Sequence, residues 1–396
     1  MKYLILGAGP AGLSVACRLM QKGENDLLVI EKETEAGGLC KSKDVDGSPL
    51  DIGGGHFLDV KKPDVLDFLF SYMDKDEWDL YERDSKIDVK GNIINSPIEA
   101  NIWQMSLNDQ VEYLKSIAVA GCNLGTPMPE KFVDWIYWKL GNKIADDYMI
   151  PYNKKMFGDE LNDLGTYWLN KLPNVSFEET LISCLEKKAH GTQPGHAKFY
   201  YPKKYGYGKL WERMAESLKD KLVTGTEITD IDLDAHTVNG KYSADVIITT
   251  IPWKSFKTVK GLSEGSLGNI DKLKHTSVVI EYNDENPDTK AQWIYYPDPS
   301  LSYHRILVRH NFCPGSKGYW TETNYTRFTP SNKPYFINEY AYPLNTVGKE
   351  EIMKSLLKEA ASKKVYGLGR WGEWQHYNSD VVVKLAIDMA DGFIGS

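Results

Sequence analysis

The 396-residue chain is 42% hydrophobic and 26% charged, which suits a globular protein of two domains and excludes a globally disordered or collagen-like chain. A net charge of -8 without a compensating basic run excludes nucleic acid as a partner. The five cysteines (Cys17, Cys40, Cys122, Cys184, Cys313) lack CxxC or Cys/His spacing, which predicts reduced thiols with no disulfide and no metal. The apolar start at residues 3–6 is too short for a secretion signal, and no run reaches the ~18 apolar residues of a spanning helix. A soluble, cytoplasmic protein is expected.

Residues 2–6 read as a buried strand, Gly7-Ala8-Gly9-Pro10-Ala11-Gly12 as a tight turn, 13–22 as a helix and 26–30 as a second strand. In that order the glycines allow close approach of a pyrophosphate, and the helix start supplies free N–H groups to it. Glu31 follows 19 residues after Gly12, where a carboxylate can accept from both ribose hydroxyls, with Lys32 beside it. A second glycine pair, Gly37-Gly38, precedes Leu39, and a third cluster, Gly53-Gly54-Gly55, ends in His56. Repeated close backbone approaches suit FAD, whose isoalloxazine extends beyond the reach of a single glycine turn.

Further along, 63–83 reads as helical, with Leu66, Phe68, Leu69 and Met73 on one face, and 85–95 as a hairpin turning at Lys90-Gly91-Asn92. Ser106 with Asp109, and Ser176 with Glu179, mark helix starts within an aromatic-rich helical insert that runs to about 187. Residues 201–208 lead into an amphipathic helix at 209–218. Strand and hairpin follow at 222–228, which contains Glu227 and Ile228, and at 231–238, then a buried apolar strand at 244–252. Residues 276–341 alternate as β segments; a last strand and loop at 365–370 precede a helix starting near Asp380.

The expected architecture is therefore α/β: a Rossmann-type FAD-binding domain with a helical insert and an antiparallel-sheet substrate domain. The FAD-binding domain is discontinuous, comprising 1–95, 196–258 and 345–396. The insert at 96–195 and the sheet at 259–344 form the substrate domain, and a ligand is expected in the cleft between the two.

The glycine clusters resemble the flavin contacts of the FAD-dependent amine oxidoreductase superfamily. The run Gly369-Arg370-Trp371-Gly372-Glu373-Trp374-Gln375-His376-Tyr377-Asn378-Ser379-Asp380 resembles the terminal flavin signature of its UDP-galactopyranose mutase group. That resemblance implies cofactor contacts from Arg370, Asn378, Ser379 and Asp380, with the following helix start facing the flavin's carbonyl edge. Ser96-Pro97-Ile98-Glu99-Ala100-Asn101 is similar to a mutase segment, with Ser96 and Glu99 as departures. Pro151-Tyr152-Asn153-Lys154-Lys155-Met156-Phe157-Gly158 and Trp168-Leu169-Asn170-Lys171-Leu172-Pro173 resemble stretches of the wider superfamily, in which an Arg often stands where this chain has Lys171.

Tyr303-His304-Arg305-Ile306-Leu307-Val308-Arg309-His310-Asn311-Phe312 resembles the mutase strand whose Arg holds the substrate pyrophosphate. Arg305 stands at that position, Phe312 where a phosphate-binding Tyr is expected, and His376 in place of another. Arg305 and Arg309 have even spacing and would share one strand face, either at the cleft or as exposed charges. The phosphate candidates are thus Lys171, Arg305, Arg309 and His376, while His56 and Arg305 are the catalytic candidates.

The resemblance implies an isomerase that interconverts pyranose and furanose nucleotide sugars through an N5 adduct of reduced flavin, as in cell-surface polysaccharide biosynthesis, with NAD(P)H as a compatible reductant. The competing expectation is a redox flavoenzyme of amine oxidase or protoporphyrinogen oxidase type, and a third is a flavin-binding protein without catalysis. The expected partner is a small molecule, and an oligomer is compatible with the sequence.

Overall fold

The computed structural model describes residues 1–169, 172–191 and 197–395. Its first unit is a five-stranded parallel sheet in the order Leu222–Val223, Leu27–Ile30, Tyr3–Leu6, Val246–Thr249, Val365–Gly367. The central strand Tyr3–Leu6 is buried along its whole length, and its period of two divides it between two cores. Tyr3 and Ile5 join the core on one face, Leu4 and Leu6 the core on the other. Strands this apolar are stable only when covered on both sides. Helix Pro10–Gln21 and the terminal helix Ser379–Gly395 pack together over one face, and helix Lys349–Ser362 contributes Met353, Leu356 and Ala360 to the other.

The second large sheet has seven strands, ordered Tyr335–Pro343, His275–Asn283, Tyr319–Asn324, Arg305–Val308, Trp293–Tyr295, Ser85–Val89 and Asn92–Asn95. All neighbours are antiparallel except Trp293–Tyr295 with Ser85–Val89, which run parallel. The hairpin predicted at 85–95 thus exists, but it extends the antiparallel sheet rather than the parallel one. A hairpin's own sequence does not say which sheet its open edge will join.

The helical expectation for 63–83 holds only as far as helix Pro63–Phe70. Trp78–Glu82 is a strand, paired antiparallel with Lys198–Pro202, and this long-range pairing overrides the local apolar pattern. The insert contains helices Leu107–Ala118, Phe132–Ile144, Ile150–Phe157 and Phe177–Glu186. Ser106 caps the first, accepting from the Asp109 N–H at 3.2 Å, and Ser176 with Glu179 forms a complete capping box at the last. Of the strand predicted within 222–228, only Leu222–Val223 joins the sheet. No helix among the described residues is long and apolar enough to cross a membrane.

Helix Pro10–Gln21 lies so close to the central strand that a Cβ on Gly12 would sit 1.9 Å from the Gly7 carbonyl oxygen. Backbone cannot yield there without moving the helix. Gly12→Ala is therefore expected to destabilise the fold by about 3 kcal/mol, read as a lowered urea midpoint with unchanged slope. An unaltered midpoint would show that helix and strand can separate at little cost.

Candidate functional site: two joined cavities

At the carboxyl ends of the parallel strands lies a cavity of about 810 Å³. Gly7, Gly9, Pro10 and Ala11 of the first turn line it, with Glu31 and Lys32 after the second strand, Gly38 and Leu39 of the second glycine pair, and Glu227 and Ile228. Sequence reasoning had singled out each of these. Gly12 sits beneath the turn and sets its height. The two glycine loops meet: a Cβ on Gly38 would lie 3.1 Å from the Gly9 Cα, and the Gly37 N–H donates to the Ala8 carbonyl at 2.8 Å. Gly37 and Gly38 both have positive φ, 115° and 53°, so side chains would be strained as well as obstructive. Glu31 is buried, with one carboxylate oxygen accepting from the Ala8 N–H at 2.7 Å and the other from the Glu33 N–H at 3.0 Å. These bonds fix the carboxylate at the cavity wall and leave further lone pairs for ligand hydroxyls.

A second, smaller cavity of about 180 Å³ opens against the first. His56, Arg370 and Ser379 line both, and so form the junction. Gly54 and Gly55, expected at the cofactor, line the smaller cavity, as do Asn378, His376 and Arg305. His56 bonds through Nδ1 to the Gly54 carbonyl at 2.9 Å and stacks on Tyr207 at 6.3 Å between ring centres. His376 lies against Tyr342, with ring centres 4.8 Å apart.

The smaller cavity is cationic. Arg305 donates through Nε to Glu322 at 2.7 Å and through Nη2 to the Tyr342 hydroxyl at 3.2 Å. Burial would lower the guanidinium pKa, but Glu322 outweighs it and holds the group well above its ordinary value. Arg370 donates to the carbonyls of Tyr377, at 3.1 and 2.8 Å, and Ala341, at 3.1 Å; burial lowers its pKa while Tyr342 and Cys40 oppose the shift. A third guanidinium, Arg83, donates to the Tyr295 hydroxyl at 2.7 Å and lies 5.0 Å from the Trp293 ring centre.

Three residues lie away from both cavities. The strand carrying Arg305 ends at Val308, so Arg309 opens a 3-10 turn and leaves the alternation that would have put both on one face. It is 0% exposed, its guanidinium satisfied by the carbonyls of Val45, Ser48, Pro49 and Lys317 and by the Tyr282 hydroxyl, and it lines neither cavity. Phe312, placed by resemblance at a phosphate-binding position, packs in the core against Phe57, Tyr201 and Trp320; the hydroxyl beside Arg305 comes from Tyr342 instead. Asp380, expected at the cofactor, stands in the first turn of helix Ser379–Gly395, buried and ion-paired to Lys62, and its neighbour Ser379 lines both cavities. Lys171 lies outside the described residues.

Arg83, Trp293, Tyr295, Tyr342 and Glu322 were not foreseen. A charged residue inside the strand run Tyr319–Asn324 was the available signal for Glu322, whose register partner is Arg305. Arg83 belongs to no motif, and its place depends on the parallel pairing of Ser85 with Trp293.

Residues 5–71 match the family described as an NAD(P)-binding Rossmann-like domain. A carotenoid 3,4-desaturase of Haloarcula japonica is 36% identical over 78 residues, 20% of this chain and 15% of the desaturase. An uncharacterized protein encoded in the nifH2 3′ region of Methanothermococcus thermolithotrophicus is 45% identical over 53 residues, 13% of this chain and 50% of that protein. This chain thus spans half or less of these relatives' own length. The crystal structure of reduced UDP-galactopyranose mutase superposes over 100% of this chain and 94% of its own, with a TM-score of 0.89 at 24% identity. The two chains share a fold. A putrescine oxidase aligns over 100% and 99% with a TM-score of 0.63 at 14% identity, and a CLA-producing fatty acid isomerase from P. acnes over 99% and 98% with 0.64 at 15%.

Glu322 is fully buried and Arg305 only 18% exposed, so each depends on the other. Glu322→Ala should leave a desolvated guanidinium and lower stability by about 3–5 kcal/mol, measured by chemical denaturation. A loss below about 1 kcal/mol would mean that Arg305 finds solvent or another acceptor at once.

Proposed function

We propose that the chain is an FAD-dependent nucleotide-sugar mutase that interconverts pyranose and furanose forms. The observation that carries this reading is the convergence of Arg83, Arg305, Arg370 and His376 on a cavity that shares His56, Arg370 and Ser379 with the glycine-lined cavity. The larger cavity fits a dinucleotide: its glycines leave space where Cβ atoms would intrude, and Glu31 supplies a fixed carboxylate at the ribose position. Gly7, Gly9 and the start of helix Pro10–Gln21 would hold the FAD pyrophosphate, with Glu227 and Ile228 at the adenosine end and Arg370 and Ser379 at the flavin end. In this reading the parallel-sheet unit is the cofactor domain, and the helical insert with the antiparallel sheet is the substrate domain.

When bound and reduced, FAD would supply N5 as a nucleophile toward the anomeric carbon, with no net redox change over the cycle. The protein's own residues do the rest. Arg305, steered by Glu322 and Tyr342, is positioned to take a phosphate oxygen of the substrate and to stabilise the diphosphate as it leaves. Arg83 and His376 add donors from other walls, and Trp293, Tyr295, Tyr342 and Phe57 exclude water around the sugar. Arg370 keeps its charge on carbonyl acceptors, so it can favour an anionic reduced flavin.

Charge supports this reading over an amine oxidase. Among the described residues, three guanidiniums and no carboxylate line the cavity, an environment that suits a diphosphate better than a protonated amine. The test is a titration of the dithionite-reduced, FAD-loaded protein with UDP, TDP and their sugars, followed by flavin difference spectra and by chromatography of pyranose and furanose products. Saturable perturbation by one nucleotide, sugar interconversion without flavin turnover, and binding at least about tenfold weaker in Arg305→Ala are expected. Bleaching of the oxidised flavin by an amine, with no response to any nucleotide, would sink the proposal.

A further inference from the structure

One buried carboxylate outside both cavities is bonded to segments that flank their junction. Asp51 ends the strand Ser48–Asp51 and is fully buried. One of its oxygens accepts from the Ser42 hydroxyl at 2.5 Å and the Tyr207 N–H at 3.1 Å, and the other accepts from the Tyr201 hydroxyl at 3.1 Å. These donors come from three separate segments: strand Ser42–Val45, strand Lys198–Pro202 and the turn before helix Gly208–Leu218. Ser42 in turn accepts from the Gly208 N–H at 2.8 Å. The turn is glycine on both sides of Tyr207 for this reason. A Cβ on Gly206 would lie 2.3 Å from the Ser42 hydroxyl oxygen, and one on Gly208 would lie 2.4 Å from the Ser42 nitrogen.

Tyr207 carries the arrangement to the site. Its ring stacks on His56 and its hydroxyl shares a 2.7 Å hydrogen bond with Ser379, and these are two of the three residues that line both cavities. The Asp51 carbonyl also accepts from the Gly54 N–H at 3.2 Å, at the base of the turn that carries His56. We infer that Asp51 is a positioning residue for the cofactor, holding the junction of the two cavities as a carboxylate through Ser42 and Tyr207; this rests on the dinucleotide reading of the larger cavity.

The inference makes the junction sensitive to protons. The titratable groups around Asp51 are Cys40, Tyr201, Tyr207 and Cys313, which burial keeps protonated and neutral near pH 7. On its own hairpin Lys43 and Asp44 are exposed, and Arg309 is engaged by the carbonyls of Val45, Ser48 and Pro49. Burial pushes the Asp51 carboxyl up to about 7, while the donors Ser42, Tyr207 and Tyr201 pull it back. Protonation of Asp51 would weaken the bond from the Tyr207 N–H and would require the Ser42 or Tyr201 hydroxyl to turn from donor to acceptor, loosening the arrangement. Because the folded pKa lies above the ~3.9 of an unfolded carboxyl, the group's contribution to stability is complete below about pH 4 and is lost as pH rises through about 7. Cofactor affinity moves the other way, since the ordered junction needs the carboxylate.

The experiment titrates FAD into the apoprotein between about pH 5.5 and 8.5, following flavin fluorescence, and records thermal unfolding without FAD over the same range. Wild type is expected to bind FAD about tenfold more tightly above pH 7 than below pH 6, the scale of one charge-assisted hydrogen bond. Asp51→Asn should bind about tenfold more weakly at pH 8 and lose the step. Tyr201→Phe removes one donor to the carboxylate and should move the step's midpoint upward, which also covers failure of Asp51→Asn to fold. A flat wild-type profile, a step that survives in Asp51→Asn, or a midpoint unmoved in Tyr201→Phe would overturn the inference. Absence of FAD binding at every pH would instead refute the cofactor reading. That outcome would take the Asp51 inference with it, whereas the unfolding curves separately test its titration: the wild-type Tm should fall relative to Asp51→Asn as pH rises, and parallel curves would count against the inference even where FAD binds.

Discussion

The closeness of two stretches of backbone underlies the whole arrangement. Gly12 lets helix Pro10–Gln21 rest on the Gly7 carbonyl, and Gly9 and Gly38 let two loops meet over the strand ends. A side chain at Gly12 would lift the helix, and its free N–H groups would no longer face the place where the parallel strands end. The helix start, the Glu31 carboxylate and the cavity wall at Glu227 and Ile228 are therefore one construction, fixed by what is missing from a few residues.

The second unit is placed against the first by polar contacts that also serve the site. Asn338, on the edge strand of the seven-stranded sheet, donates to the Ile52 carbonyl at 2.8 Å, and Glu322, inside the sheet, accepts from the Gly55 N–H at 3.3 Å. One oxygen of Glu322 thus holds the glycine turn while the other holds Arg305. The same carboxylate ties the turn at Gly55 to the Arg305 guanidinium, both of which line the smaller cavity. A buried ion pair is weak evidence for stability by itself. Here its value lies in orientation, because it links two units that the chain connects only through long excursions.

Local signals in the sequence carried the nucleotide unit. Glycine spacing, an acidic residue after the second strand and strong β-α-β periodicity all act within about 30 residues, where local sterics and helix geometry decide the outcome. The capping pairs at Ser106 and Ser176 were legible for the same reason. Trp78–Glu82 was read as helix because its apolar residues suit either period, and the deciding contact, Lys198–Pro202, lies more than a hundred residues away. Arg83 and Tyr342 reach the smaller cavity only through the order of strands in the seven-stranded sheet, which no single segment encodes. Arg309 shows the opposite failure. Even spacing from Arg305 implies a shared face only while the strand lasts, and this strand stops one residue too soon.

Buried cations alone do not mark a site in this protein. Lys155 donates to the carbonyls of Tyr296 and Asp298, Lys349 to that of Trp374, and Arg309 to four more, and none of the three lines either cavity. For both lysines, burial pushes the pKa down to about 8, so each is close to shedding its charge where it sits. Arg83, Arg305 and Arg370 differ in having a cavity in front of them and fixed acceptors behind: a hydroxyl and an aromatic face, a carboxylate, and two backbone carbonyls. Arg305 has its charge offset by Glu322, and Arg83 and Arg370 line the same smaller cavity. Holding guanidiniums out of bulk water is costly, and an anion in the cavity would relieve that cost. A diphosphate on one side and an anionic reduced flavin on the other would supply that negative charge from both ends of the junction that His56, Arg370 and Ser379 define.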